Sequence, residues 1–97
     1  MAIAAPWQAF DPETPRDVVG VYELGHVTFG TVRTVYIGSG SVASRLGAHR
    51  RDPEKTFTHY RCEYTYDRRR ARQRERKLQR TYRDRRGSLP AYNSRVG

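Results

Sequence analysis

The nineteen residues from Arg68 to Arg86 constrain this chain most. Asp67 stands where a helix needs an N-cap and Gly87 where a helix ends, so the run reads as one helix. Within it, Arg68 to Lys77 hold seven basic residues and a single carboxylate, Glu75. At about 100° per residue, Ala71, Glu75, Leu78 and Tyr82 fall within an arc of roughly 60°. No other face has apolar character, so this one must meet the rest of the protein, and Glu75 is carried inward with it. A carboxylate held against a core needs a cation partner or a shifted pKa. Two readings of Glu75 stand at this point: an internal ion pair with a neighbouring arginine, or a metal ligand facing a phosphate-binding surface.

Ninety-seven residues suffice for one domain with a modest core. The formal charge of +9 rests on seventeen arginines and only two lysines. Arginine is the side chain suited to bidentate phosphate contacts, so the excess points to a polyanion, nucleic acid above all. A membrane surface suits the chain less well, because no basic helix carries the bulky apolar face it would need. No apolar stretch approaches the roughly 20 residues that span a bilayer. Met1 to Phe10 lacks the basic and apolar regions of a signal peptide. The expectation is a soluble cytoplasmic protein, monomer or homodimer. The lone cysteine, Cys62, excludes an internal disulfide and reads as packing.

Residues 1–16, with Pro6, Pro12 and Pro15, read as an extended arm pinned by Trp7 and Phe10, ahead of a single domain over 17–97. Asp17 to Leu24 has the β-branched and aromatic content of a strand. A turn over Gly25 to Gly30 leads to a second strand ending at Ile37, and Gly38-Ser39-Gly40-Ser41 is expected to break it. Ser41 is placed to cap a helix from Val42 to about Arg50, with Val42, Leu46 and His49 on one face. Thr58 to Tyr66 alternates as a third strand. The order β-β-α-β-α predicts an α+β domain, a small three-stranded antiparallel sheet flanked by helices.

Two tripeptides stand out on these elements: Gly20-Val21-Tyr22 in the first strand and, after thirteen intervening residues, Tyr36-Ile37-Gly38 at the end of the second. Arg45 and His49 follow at one-turn spacing on the first helix. Then come Ala71-x-x-x-Glu75-x-x-Leu78-x-x-x-Tyr82 on the long helix and Pro90-x-x-Asn93 in the tail. This ordered set resembles the GIY-YIG nuclease family from Val19 to Asn93. Val21 replaces the usual isoleucine and keeps a β-branched apolar side chain.

The resemblance implies hydrolysis of phosphodiester bonds around one divalent cation, Mg²⁺ or Mn²⁺, with Glu75 as its ligand. It implies Tyr22 as general base, Tyr36 positioning water and Arg45 forked onto the scissile phosphate. His49 would share the proton work or contact phosphate, and Asn93 would tie the tail to the site. A free tyrosine titrates near pH 10, so Tyr22 would need a cation such as Arg45 beside it. The outward side chains Arg69, Arg70, Arg76, Lys77 and Arg80 form a sequence-blind surface for DNA, with Arg50 and Arg51 either joining it or serving as plain surface charge. The expected function is a metal-dependent endonuclease of low sequence specificity, selective for single strands, flaps or branched DNA, with a loose link to repair or mobile elements. Two alternatives remain: a non-catalytic basic nucleic-acid-binding protein, and a nuclease acting on RNA. His26 and His59 are assigned no role.

Overall fold

The computed structural model describes residues 3–93. In chain order the elements are β1 (Gln8–Ala9), β2 (Val19–Thr28), β3 (Thr31–Ser41), α1 (Val42–Arg50), β4 (His59–Tyr64) and α2 (Arg68–Arg86). The strands form one antiparallel sheet in the order β1-β4-β2-β3. The α+β class therefore holds, with four strands instead of three. The extra strand lies in the expected arm, where Gln8 and Ala9 pair with Tyr60 and His59. Two residues are too few to show a period, so only pairing with β4 reveals them. The arm is also anchored through Ile3, which is buried, and through Phe10, edge-on to Phe57 at 5.1 Å between ring centroids.

From Gly20 to Gly25 β2 is buried on both faces, which is why that stretch reads as a nearly continuous apolar run. Tyr22 and Leu24 pack with Val42 and Leu46 of α1, while Val21 packs with Ile37 and with Leu78 of α2. α1 buries the expected face of Val42, Leu46 and His49, and α2 buries Ala71 and Leu78 together with Gln79. The α2 termini follow the sequence reading. Asp67 Oδ1 accepts from the Arg69 and Arg70 amides, and Gly87 closes the helix at φ 83°.

Three local expectations are corrected. The first turn is only Phe29 and Gly30, because β2 and β3 remain paired from Gly25↔Thr34 through Thr28↔Thr31. Gly38 to Ser41 does not break β3; each residue stays paired with β2, as far as Ser41↔Val19. The glycines serve close approach instead. A Cβ on Gly38 would lie 2.6 Å from the Tyr22 hydroxyl, and one on Gly40 would lie 3.1 Å from Arg45 Cγ. Ser41 occupies the N-cap position but makes no side-chain cap. Because α1 follows β3 without a loop, the lead-in to β2 supplies the acceptors: Val18 O for the Val42 amide, Arg16 O for Ala43, and Asp17 Oδ1 for Ser44.

A bulge in β3 sets which side chains reach which face. Leu24 pairs with Tyr36 but Gly25 with Thr34, leaving Val35 unopposed. Val35 and Tyr36 thus both reach the α1 side, while Thr34 faces Glu23 on the other. The outer edge of β3 is covered by the tail. The Tyr92 amide donates to Val35 O at 2.8 Å. Asn93 brackets Ile37, accepting from its amide at 2.8 Å and donating to its carbonyl at 3.0 Å.

Candidate active site

Gly38 and Gly40 leave the α1 side of β3 bare, and the neighbouring side chains fill that space. Tyr22, fully buried, lies across Gly38 and shares a 2.7 Å hydrogen bond with His49 Nε2. Tyr36 stacks obliquely on both, 6.2 Å from the Tyr22 ring and 4.8 Å from the imidazole. Arg45 crosses Gly40, remains exposed, and reaches both tyrosine hydroxyls, which strengthen its hold on its proton. Lys55, from the loop after α1, sits 5.3 Å over the Tyr36 ring.

Burial governs the protonation of the Tyr22–His49 pair. Desolvation pushes the Tyr22 phenol well above its ordinary value, with Tyr36 adding to the push and Arg45 partly offsetting it. His49 is lowered to about 4, first by burial and then by the Arg45 and Lys55 charges. At neutral pH the pair is therefore an uncharged phenol beside an uncharged imidazole. Tyr22 does not rest as a phenolate, which limits it as a free-standing base.

The same shift makes a stability prediction. The folded state binds a proton at His49 less readily than the unfolded chain, whose histidine titrates near 6.5. Stability from this group is complete above about pH 6.5 and is lost as the pH falls toward 4. Urea midpoints measured between pH 7 and 4 should fall, and in His49→Gln that part of the slope should vanish. An unchanged slope in the variant would remove His49 as its source.

On the other side of β3, Ser39 alternates with the two glycines and donates a hydrogen bond to Glu75 Oε1. Gln79, one turn along α2, donates to Glu75 Oε2 at 3.1 Å and to Ile37 O at 3.0 Å. Glu75 is half-buried, and its field reaches Tyr22 across the sheet edge. Among the described residues no ion pair includes Glu75. The inward-reaching arginines are engaged elsewhere, Arg74 with Glu63 at 3.1 Å and Arg61 with Glu23 at 2.9 Å. The ion-pair reading of Glu75 is thus not what the packing delivers: among the described residues two neutral donors hold the carboxylate.

The expected residues Tyr22, Tyr36, Arg45 and His49 gather on one side of β3, and Glu75 approaches from the other. Asn93 is near only through the backbone of Ile37, where it clamps the tail. Arg50, Arg51, Arg69, Arg70, Arg76, Lys77 and Arg80 are all exposed, on the solvent sides of α1 and α2. Sequence reasoning missed Ser39 and Gln79 as partners of Glu75. It also missed Arg68 and Arg72, which with Ser39, Gly40 and Ala71 line a cavity of about 60 Å³. The one-turn spacing of Glu75 and Gln79 was a readable signal for Gln79; nothing local marked the others.

A divalent cation fits the chemistry of this donor set. Each Glu75 oxygen accepts one hydrogen bond and retains lone-pair capacity, with the Ser39 hydroxyl alongside. Among the described residues no three histidine, cysteine or acidic side chains form a group, so one carboxylate would hold the ion and water and phosphate oxygens would complete it. All-oxygen ligation of that kind suits Mg²⁺ or Mn²⁺. No helix among the described residues is long and apolar enough to cross a membrane. No family model, no curated protein and no solved structure matches the chain.

Proposed function

We propose that this protein is a metal-dependent endonuclease of the GIY-YIG type, cutting DNA with low sequence specificity. One observation carries the reading. In a chain with seventeen arginines, the half-buried carboxylate of Glu75 is held by Ser39 and Gln79 with no ion pair among the described residues, and its field reaches Tyr22 of the buried tyrosine–histidine pair. Pure nucleic-acid binding has no use for an unneutralised acid beside its phosphate contacts.

In this proposal Arg45 forks onto the scissile phosphate, and Arg68 and Arg72 flank it. Water attacks phosphorus as the bond to the leaving oxygen breaks. The proton from water passes to the Tyr22 oxygen while the Tyr22 proton moves to His49 Nε2, so no isolated phenolate forms in the buried site. The leaving oxygen takes its proton from solvent, and His49, whose charged form is disfavoured, releases its added proton to solvent and restores the neutral pair. Tyr36 orients the water, and a cation held by Glu75 would supply charge neutralisation on the phosphate oxygens. The exposed arginines of α2 hold the polyanion without reading sequence.

The test is cleavage of plasmid and of single-stranded, flap and junction oligonucleotides with Mg²⁺ or Mn²⁺. Cutting is expected with either metal and not with chelator, and Arg45→Ala should lower its rate by about 10²-fold or more, the scale for removal of one transition-state donor. Binding to every substrate with no cutting of any would sink the nuclease reading. It would leave a basic binding protein.

A further inference from the structure

At the Gly25 end of the sheet, away from the Gly38–Gly40 site, β2 and β3 run on past their neighbour. β4 pairs with β2 only from Gly20 to Gly25. His26–Thr28 and Thr31–Arg33 therefore pair only with each other, tethered where the Val27 amide donates to Thr58 Oγ1. At the tip, Phe29 and Gly30 both have left-handed backbones, with φ 50° and 78°. Such two-residue turns favour Asn-Gly, and a bulky aromatic at the first position is disfavoured. The Phe29 ring is fully exposed, so it returns nothing to the fold for that cost.

Under the hairpin lies a cleft of about 310 Å³ whose lining includes Trp7, Arg33, Arg61, Tyr82 and Arg86. Glu23 neutralises Arg61, but no ion pair among the described residues includes Arg33 or Arg86. Trp7 is a rigid wall, with the Arg61 guanidinium 4.2 Å over its ring and Gly25 packed against it. Tyr82 and Arg86 lie seven and eleven residues beyond Glu75 on α2, about 10–17 Å along the helix axis.

We propose that this cleft and the Phe29 tip bind a single-stranded segment of nucleic acid, with phosphates on Arg33 and Arg86 and an unstacked base on Phe29. The inference rests on the nucleic-acid reading above and extends the substrate track several nucleotides from the cut. The occupant follows from charge and shape. Two guanidinium groups with no ion pair among the described residues, Arg86 lying over the Tyr82 ring, select a polyanion in a chain of charge +9. A single projecting ring accepts a base only where that base is free of its stack, as in single strands.

Trp7 is the only tryptophan, so its emission reports on the cleft directly. Oligo-dT and oligo-rU of about 12 nucleotides, a length within the usual range of single-strand sites, should each change Trp7 emission saturably, since the contacts proposed are shared by DNA and RNA. A response to one alone would assign the cleft to that polymer. Phe29→Asn and Arg33→Gln should each weaken binding about tenfold, on the scale of one lost stack or phosphate contact. Phe29→Asn should also raise the melting temperature, because asparagine tolerates the left-handed turn. Oligonucleotide binding seen by anisotropy without any Trp7 response, or undiminished in both variants, would overturn the cleft and leave the nuclease proposal standing. Equal affinity for duplex of the same length would overturn the single-strand assignment. Absence of binding to any oligonucleotide would overturn both proposals.

Discussion

Glu75→Gln should lower the cleavage rate by about 10²–10³-fold while leaving the fold intact. The substitution keeps shape and hydrogen-bonding capacity and removes only charge. Its amide oxygen can accept from Gln79, and its amide nitrogen can donate to the Ser39 hydroxyl, which both donates and accepts. Thermal and urea unfolding should therefore move little. Glu75→Ala is the less informative variant, because it also removes an acceptor from Ser39 and from Gln79, which keeps Ile37 O. If the carboxylate is the cation ligand, raising Mg²⁺ or Mn²⁺ should not restore the glutamine variant. Rates equal to wild type at any metal concentration would remove Glu75 from the chemistry.

Gly20→Ala should produce the largest loss of stability of any single methyl addition in the sheet. The new Cβ would lie 2.5 Å from the Glu63 carbonyl oxygen and 3.0 Å from Tyr64 Cα, both backbone atoms of β4. A side chain could swing away from such a contact, but a hydrogen-bonded central strand cannot. Overpacking of this kind costs about 1–3 kcal/mol and occasionally more, a large part of the 5–15 kcal/mol typical of a domain. The expected readout is a lower urea midpoint at unchanged m. A midpoint within experimental error of wild type would show that β2 and β4 separate easily. Gly38→Ala provides the contrast, because its Cβ meets the Tyr22 hydroxyl and the Tyr36 ring. It should damage the Tyr22–His49 bond more than the sheet. The two glycines of the motif thus do different jobs: Gly20 lets strands approach, and Gly38 lets a tyrosine lie flat.

How much could be read in advance varied with the range of the interactions involved. α2 was legible to the residue, since Asp67, Gly87 and the spacing of Ala71, Glu75, Leu78 and Tyr82 are local signals acting within a few turns. The buried face of α1 was legible for the same reason. β1 was not, because Gln8 and Ala9 are a strand only by virtue of β4. Gly38 to Ser41 misled because glycine has two local meanings, a break or a close approach. Only the Tyr22 ring and the Arg45 stem lying over Gly38 and Gly40 decide between them. Ser41 misled similarly: its type suits a cap, but Val18, Arg16 and Asp17 were nearer to the task.

The sequence by itself determined the α+β class, the long basic helix and the inward direction of Glu75. These follow from periodicity, caps and β-propensity, which operate between near neighbours. The tertiary structure alone decided what meets Glu75 there. Arg61 and Arg74 are drawn to Glu23 and Glu63, and Ser39 and Gln79 hold Glu75, which has no ion pair among the described residues. Competition among many arginines for few carboxylates is settled by distance in the folded state, and distance between remote residues is what a linear pattern does not contain.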